Sequence, residues 1–468
     1  MVERNYIEPP YEERPIIEFP AIIIMGIIFL SFCLALSVLF LPWYVSLVLF
    51  IGLCLGVAIF FNPYISIFIF LIGAFFHPTQ WFPQLQAIHL VRYFAIGVLF
   101  IWGFHIIVYR DFKLVKAPQN FFIVIFMGLA FISILKNFDY ISTYFFEFSI
   151  RSTVLYFIIS NLVKSKTQVI GLIWFLVIIN VILCFIGFYQ YAHGIGEVYP
   201  ELGVVRIKGL AVESNVFALD LTIALPLAFG LFFAYRHLFL KTLLILIIFL
   251  LSLTTIFTFS RAGFLGLIIV FVLSFWFRFF KRKKFQTLLI GTILILVVAL
   301  ITPAKYWERV RSIADISDPS IERRLVGWKS GWEMMIAHPI RGVGFGVFRY
   351  AFMEHAMEKG RIGERFYRVP TDAHNVYLQT AGEMGLPGLT FLLLLIIWTF
   401  KDLIKSRRIF VGRDDLLMTE LSLSLEISMV SYLIAGMFLS LLYLKIFWII
   451  IPMAVAFKQI SLIEDGDK

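Results

Sequence analysis

Four polar clusters stand out in an otherwise apolar chain of 468 residues. Arg206 and Lys208 precede Asn215 in the run Arg-Ile-Lys-Gly-Leu-Ala-Val-Glu-Ser-Asn, and Ser260-Arg261 interrupts an apolar stretch. Arg323-Arg324 begins a segment of helical periodicity, and His374 lies between Asp372 and Asn375, shortly before Tyr377. Arginine presents a rigid fork of donors that matches phosphate oxygens, and each such charge-assisted bond contributes about 1.5–3 kcal/mol. Arg206, Arg261 and Arg324 could therefore converge on a diphosphate. Histidine has an ordinary pKa near 6.5 and can accept a proton near neutrality. A positioned general base is worth roughly 10²–10⁴-fold in rate, and His374 is the candidate for that role.

Each residue also has a plainer reading. Arg261 could be a snorkelling arginine that marks a helix end, because a charge near the bilayer centre costs about 2.5–3.5 kcal/mol and one at the edge costs less. Arg324 could meet solvent or lipid headgroups, and a juxtamembrane arginine such as Arg206 is common. A lone histidine is more often structural than catalytic. His105 and His237 sit near helix ends and His338 precedes a proline. His374 differs by its polar neighbours and by its place just before an apolar span. Asp220 and Glu426 fall within apolar segments, with Glu383 at the edge of one. Pairing with neighbouring arginines is the favoured expectation for these acids. Asp315 and Asp318 resemble a metal motif only loosely, so no metal or other cofactor is expected.

The surroundings of these clusters are membrane-like. Of all residues 61% are hydrophobic and only 15% charged, with a mean hydropathy of +0.92. Roughly a quarter of residues are charged in ordinary soluble proteins. Cys33, Cys54 and Cys184 all lie in apolar runs and read as packing residues; their spacing suits neither a disulfide framework nor zinc. The net charge of +10 resides in short loops between apolar runs, which favours a membrane over nucleic acid as partner. The first apolar run follows an acidic, proline-containing start and is long enough to span, so no cleavable signal peptide is expected.

Apolar segments fall at 20–40, 43–61, 63–76, 90–109, 120–136, 149–163, 168–191, 213–235, 241–258, 262–279, 285–302, 384–400, 417–439 and 444–458. The expected fold is an all-α polytopic membrane protein of about 12–14 transmembrane helices, given that about 20 residues span a bilayer. It divides into N-terminal helices (1–302), a long loop (303–383) and C-terminal helices (384–468). Neither an internal repeat nor a second soluble domain is visible. Within the loop, Leu325, Trp328, Trp332 and Met335 recur at helical spacing, which predicts an amphipathic helix on the membrane surface that His338-Pro339 ends. Gly342, Gly344 and Gly346 then make a flexible turn.

Basic connections at Arg110 to Lys116, Lys164 to Lys166, Arg236 to Lys241, Lys281 to Lys284 and Lys401 to Arg408 all fall on one side when the segments alternate. The positive-inside rule makes that side cytoplasmic. The four polar clusters then share the opposite face, each at a membrane boundary, as expected of a site assembled from several helix ends.

The order of motifs resembles the O-antigen ligase and polymerase superfamily. His374-Asn375-Val376-Tyr377-Leu378-Gln379 followed by Glu383-Met384-Gly385-Leu386-Pro387-Gly388-Leu389 is similar to its signature. Arg324…Trp328…Pro339…Gly342-Val343-Gly344, Ser260-Arg261-Ala262-Gly263 and Arg206…Gly209…Asn215 resemble further family elements, over about 200–390. Glu213-Ser214 stands where the family is asparagine-rich. The resemblance implies a membrane glycosyltransferase of the bacterial inner membrane with a periplasmic active site. Its donor would be an undecaprenyl-diphosphate-linked glycan and its acceptor lipid A–core or another glycan, with inversion at the anomeric carbon. His374 would be the base, Arg206, Arg261 and Arg324 would hold the diphosphate, and Lys208, Asn215, Arg323, Asn375 and Tyr377 would line the substrate site. A polymerase with the same donor and a transporter of lipid-linked glycan remain alternatives.

Overall fold

The computed structural model describes residues 43–76, 90–109, 114–135, 138–199, 203–282, 300, 302, 304–311, 319–359, 370–440, 442 and 444–466. The segments expected at 20–40 and 285–302 (apart from residues 300 and 302) lie outside them, as do Asp315 and Asp318. The chain forms two compact units, Met1–Asn62 and Pro63–Lys468. The first contributes helix α1 (Trp43–Phe61).

The second unit contains α2 (Ile65–Phe76), α3 (Leu90–Tyr109), α4 (Pro118–Ile134), α5 (Phe138–Leu162), α6 (Lys166–Ala192), α7 (Ser214–Ala234), α8 (Leu238–Phe257) and α9 (Arg261–Arg282). Then follow α10 (Ala304–Arg311), α11 (Pro319–Ala337), α12 (Phe348–Glu358), α13 (Val376–Gly412), α14 (Leu416–Ala435) and α15 (Lys445–Gly466). Among the described residues, seven helices are long and apolar enough to cross a membrane: α6, α7, α8, α9, α13, α14 and α15. The molecule is an all-α, multi-pass membrane protein. Between α6 and α7 it carries one element that the hydropathy pattern hid, an antiparallel hairpin of β1 (Glu197–Tyr199) and β2 (Val204–Arg206).

Small residues let the central helices approach. A Cβ on Gly263 of α9 would lie 2.8 Å from the Ala218 Cβ of α7, and one on Gly266 would lie 3.1 Å from Thr222. Without a hydrophobic driving force inside lipid, such close backbone packing is what holds helices together. The Ala-Gly that follows Ser260-Arg261 therefore has a packing reason.

Several buried charges among the described residues are paired, as a low-dielectric interior favours. Glu426 accepts from Arg407 at 2.6 Å, the arginine pairing expected from sequence. Asp220 meets Lys445 at 3.1 Å, so its cation is a lysine rather than an arginine. Two further pairs, Arg278–Glu420 and Asp402–Lys458, both at 2.7 Å, tie α9 to α14 and α13 to α15.

Helix α13 starts at Val376, eight residues before the apolar run expected at 384. Gly385, whose φ of 69° and ψ of −169° are not helical, then breaks the path, with Pro387 two residues on. At this break α13 receives the glycine turn. Val343 N–H donates to Gly382 O and Gly344 N–H to Glu383 O, both at 2.9 Å, while Leu386 N–H donates to Pro339 O at 2.7 Å. Gly342, also at φ 69°, leaves no room for a side chain, because a Cβ there would overlap Glu383. The Glu383 carboxylate is fully buried and accepts from Phe348 N–H and Gln379 Nε2. The Glu-Met-Gly motif thus builds a backbone joint.

Helix α11 forms where the Leu-Trp-Trp-Met spacing predicts it, but its side chains split. Met335 is buried, Trp328 rests against the Phe438 ring, and Leu325 and Trp332 are exposed. Gly331 faces Leu378 of α13 instead, and Gly327 faces Asp372 and Ala373 just before that helix.

Candidate active site

The first half of the site is built on the hairpin. Register pairs Arg206 with Glu197. Arg206 donates through Nε to Thr258 O at 2.8 Å and through Nη2 to Asn215 Oδ1 at 2.9 Å, and lies 3.6 Å from Glu197. Glu197 in turn accepts from Ser214 N–H and Ser214 Oγ, which fixes the start of α7. Gln190 of α6 holds the following loop by donating to Gly209 O and accepting from Lys208 N–H. Arg206 is therefore tied to α7 through Asn215 and to the α8–α9 break through Thr258.

That break is a tight reversal. Phe259 has φ 50°, an uncommon backbone for an aromatic residue. Ser260 Oγ accepts from Gly263 N–H and so caps α9. Arg261 is the first helical residue and is buried, with 6% of its surface exposed. A guanidinium at the N-terminus of a helix adds full charge to the helix's own partial positive charge, a combination suited to an anion.

The second half surrounds His374. A Cβ on Gly327 would lie 2.8 Å from Asp372 O, so α11 presses on the strand of chain before α13 and brings Arg323 and Arg324 to the imidazole. His374 takes the left-handed backbone, φ 47°, and its N–H donates to Ser440 Oγ at 3.1 Å. Asn375 caps α13, its Oδ1 accepting from Tyr377 N–H and Leu378 N–H, while its Nδ2 donates to Met437 O. Tyr377 OH donates to Leu433 O. The two residues read from sequence as substrate-lining thus have their polar groups engaged in fixing His374 against the end of α14.

Burial lowers the His374 pKa from 6.5 to about 4, with Arg324, Arg323 and Arg349 adding to the effect and Asp372 opposing it. At neutral pH the imidazole is uncharged and able to take a proton.

Two groups were given no role in the sequence analysis. Arg349 of α12 forms a fork with Asp372, and Glu213, the residue before α7, faces both halves of the site. The surrounding protein raises the Glu213 pKa, as do the carboxylates of Glu197 and Asp372, while Arg349 and Arg206 lower it. This mutual field spans the hairpin cluster and the His374 cluster, so the two belong to one polar region. Lys208 is partly exposed beside them. Chemically the region offers several guanidinium groups for an anion and a neutral base next to them.

An all-helical, multi-pass membrane protein with a basic polar site and an embedded histidine is the class that fold and site define. Residues 244–393 match the family model described as O-antigen ligase. That span covers about a third of the chain and contains Arg261, Arg323, Arg324, Asp372 and His374; Arg206 and Asn215 precede it. Similar proteins of Rickettsia prowazekii and Rickettsia felis, described as candidate polysaccharide ligases, are 30% identical over 167 and 166 residues, or 34% of this chain and 39% of each relative. The corresponding protein of Rickettsia conorii is 30% identical over 166 residues. The chain therefore spans about two fifths of the length of the curated relatives it matches. These matches support the resemblance to the O-antigen ligase superfamily that its motifs carry.

Proposed function

We propose that this chain is a membrane glycosyltransferase of the O-antigen ligase type. It moves glycan from an undecaprenyl-diphosphate donor to an acceptor hydroxyl, such as one on lipid A–core, at the periplasmic face. The observation that carries the reading is the neutral imidazole of His374 set beside Arg323 and Arg324 within the family-matched segment.

In this reading His374 takes the proton of the acceptor hydroxyl as its oxygen attacks the anomeric carbon. The bond from that carbon to the diphosphate breaks, and its electron pair goes to the leaving phosphate oxygen. Arg206, Arg261 and Arg324 meet the charge that develops there; preorganised cations in a poorly hydrated site do this without a metal. Attack opposite the leaving group inverts the anomeric centre. Asn215 and Glu197 orient Arg206, and Asn375 and Tyr377 orient the base.

Purified protein, a lipid-linked donor and defined acceptors test the proposal. Product formed in detergent, where no compartment exists, supports an enzyme; a protein that only moves lipid-linked glycan between vesicle leaflets overturns it. A polymerase would use the same site and donor. Gene deletion separates the two: loss of all long chains from the lipid core marks a ligase, whereas one capped unit marks a polymerase.

A further inference from the structure

The hairpin has two unlike faces. In an antiparallel pair, cross-strand partners share a face and the next pair takes the opposite one. Glu197 and Arg206 form one partnered pair and point to the site, bonded to Ser214, Asn215 and Thr258. Val198 and Val205 form the next pair and face the other way. Val198 is 71% exposed, and Ile195, just before β1, is 50% exposed.

These two exposed apolar residues follow closely in the chain on the exposed stripe of α6. Ile178, Ile182, Phe185 and Tyr189 recur at three- to four-residue spacing along one side of that spanning helix and are exposed. The helix ends at Ala192, and Ile195 N–H donates to Gln190 O at 2.8 Å, so the chain turns without leaving the helix end. Tyrosines sit at the junction, Tyr189 and Tyr191, where aromatic residues with a polar tip favour the membrane–water boundary.

We propose that the β1–β2 hairpin is an interfacial anchor whose exposed Ile195 and Val198 side chains rest in the headgroup–acyl boundary of the bilayer. The exposed apolar stripe of a membrane-crossing helix is covered by lipid, and within six residues of that helix's end two more large apolar side chains, Ile195 and Val198, stand exposed. The polar face of the hairpin is then held at the depth where lipid phosphates lie. Arg206 meets the diphosphate of a lipid-linked donor at that donor's own level in the membrane, a consequence that rests on the proposed function. The anchoring itself does not.

Nitroxide labels decide the matter. With Cys33, Cys54 and Cys184 replaced, Val198→Cys and Ile195→Cys are labelled separately in the full chain reconstituted in phosphatidylethanolamine–phosphatidylglycerol bilayers. Glu354→Cys, at an exposed position of α12, is the reference. The ratio of collision with oxygen to collision with a water-soluble nickel chelate is measured for each. A ratio several-fold higher at both hairpin positions than at 354 is expected. Ratios equal to that at 354 would overturn the anchor, whether or not the protein transfers glycan. Two positions are used so that misfolding of one variant leaves the other to decide.

Discussion

Arg349 grips both carboxylate oxygens of Asp372, through Nε at 2.9 Å and Nη2 at 2.6 Å, two residues before His374. A two-point fork of this kind fixes orientation as well as charge. It holds Asp372 away from full service to the imidazole. Arg349→Ala should release that carboxylate and remove a positive charge, both of which favour imidazolium. The acid limb of the kcat/KM–pH profile should move to higher pH, with Arg349→Lys giving a smaller displacement. An unmoved limb would show that the fork does not govern the base.

The pH dependence of the parent protein follows from the same site. His374 titrates at about 4 in the folded chain against 6.5 ordinarily. The free enzyme should stay active well below pH 6.5, so the acid limb of kcat/KM should lie nearer 4. A bound diphosphate offsets the arginines, and the limb of kcat should therefore lie above that of kcat/KM. For folding the sign is set by the depressed value. The unfolded chain binds the proton more readily between about pH 4 and 6.5, so this residue's contribution to stability falls as pH drops through that window and is steady above it.

His374→Ala should abolish transfer while donor binding, read by isothermal titration, remains nearly intact. Arg261→Ala should weaken both. Lysine in place of Arg261 should restore only part of the loss, because a point charge lacks the planar fork. Near-normal turnover in His374→Ala would remove the base from the mechanism.

Gly342→Ala and Gly385→Ala should each destabilise the joint between the glycine turn and α13. Both backbones sit at φ 69°, and a Cβ on Gly385 would lie 2.5 Å from Pro339 O. Strain alone costs on the order of 1–3 kcal/mol. A lowered melting midpoint with reduced kcat is expected, since α13 carries His374 at its start.

Lys445→Ala should be destabilising, by up to about 3–5 kcal/mol, because it leaves the buried Asp220 carboxyl without its lysine partner. The double variant Asp220→Leu with Lys445→Leu should recover much of that loss. Thermal unfolding in detergent reads both, and full stability in the single variant would show that the pair holds nothing.

Much of this was legible in the chain. Apolar runs announce spanning helices because lipid must be faced by apolar side chains. His374 and Arg261 stand out because polar groups beside such runs need a reason. Other features were not legible. The hairpin strands are three residues each, too short for an alternation signal. Arg349 and Glu213 carry no spacing or motif that points to a partner, and only folding shows what they face. Glu383 and Gly385 read as signature residues, yet their surroundings show a buried carboxylate serving a backbone N–H and the Gln379 amide, and a bend that leaves no room for a Cβ. The depressed basicity of His374 depends on burial and on arginines some fifty residues upstream, which no local pattern encodes.

The position of His374 one residue outside the capped start of α13 bears on how a catalytic cycle would close. The helix end and the nearby guanidinium groups all repel an imidazolium. In the proposed transfer, the charge of the lipid diphosphate is what tolerates the newly captured proton. When that product departs, its compensating charge leaves with it, and the proton loses its hold. Discharge of the leaving lipid and regeneration of the base would then be a single coupled event, and the protein would need no separate group to reset itself.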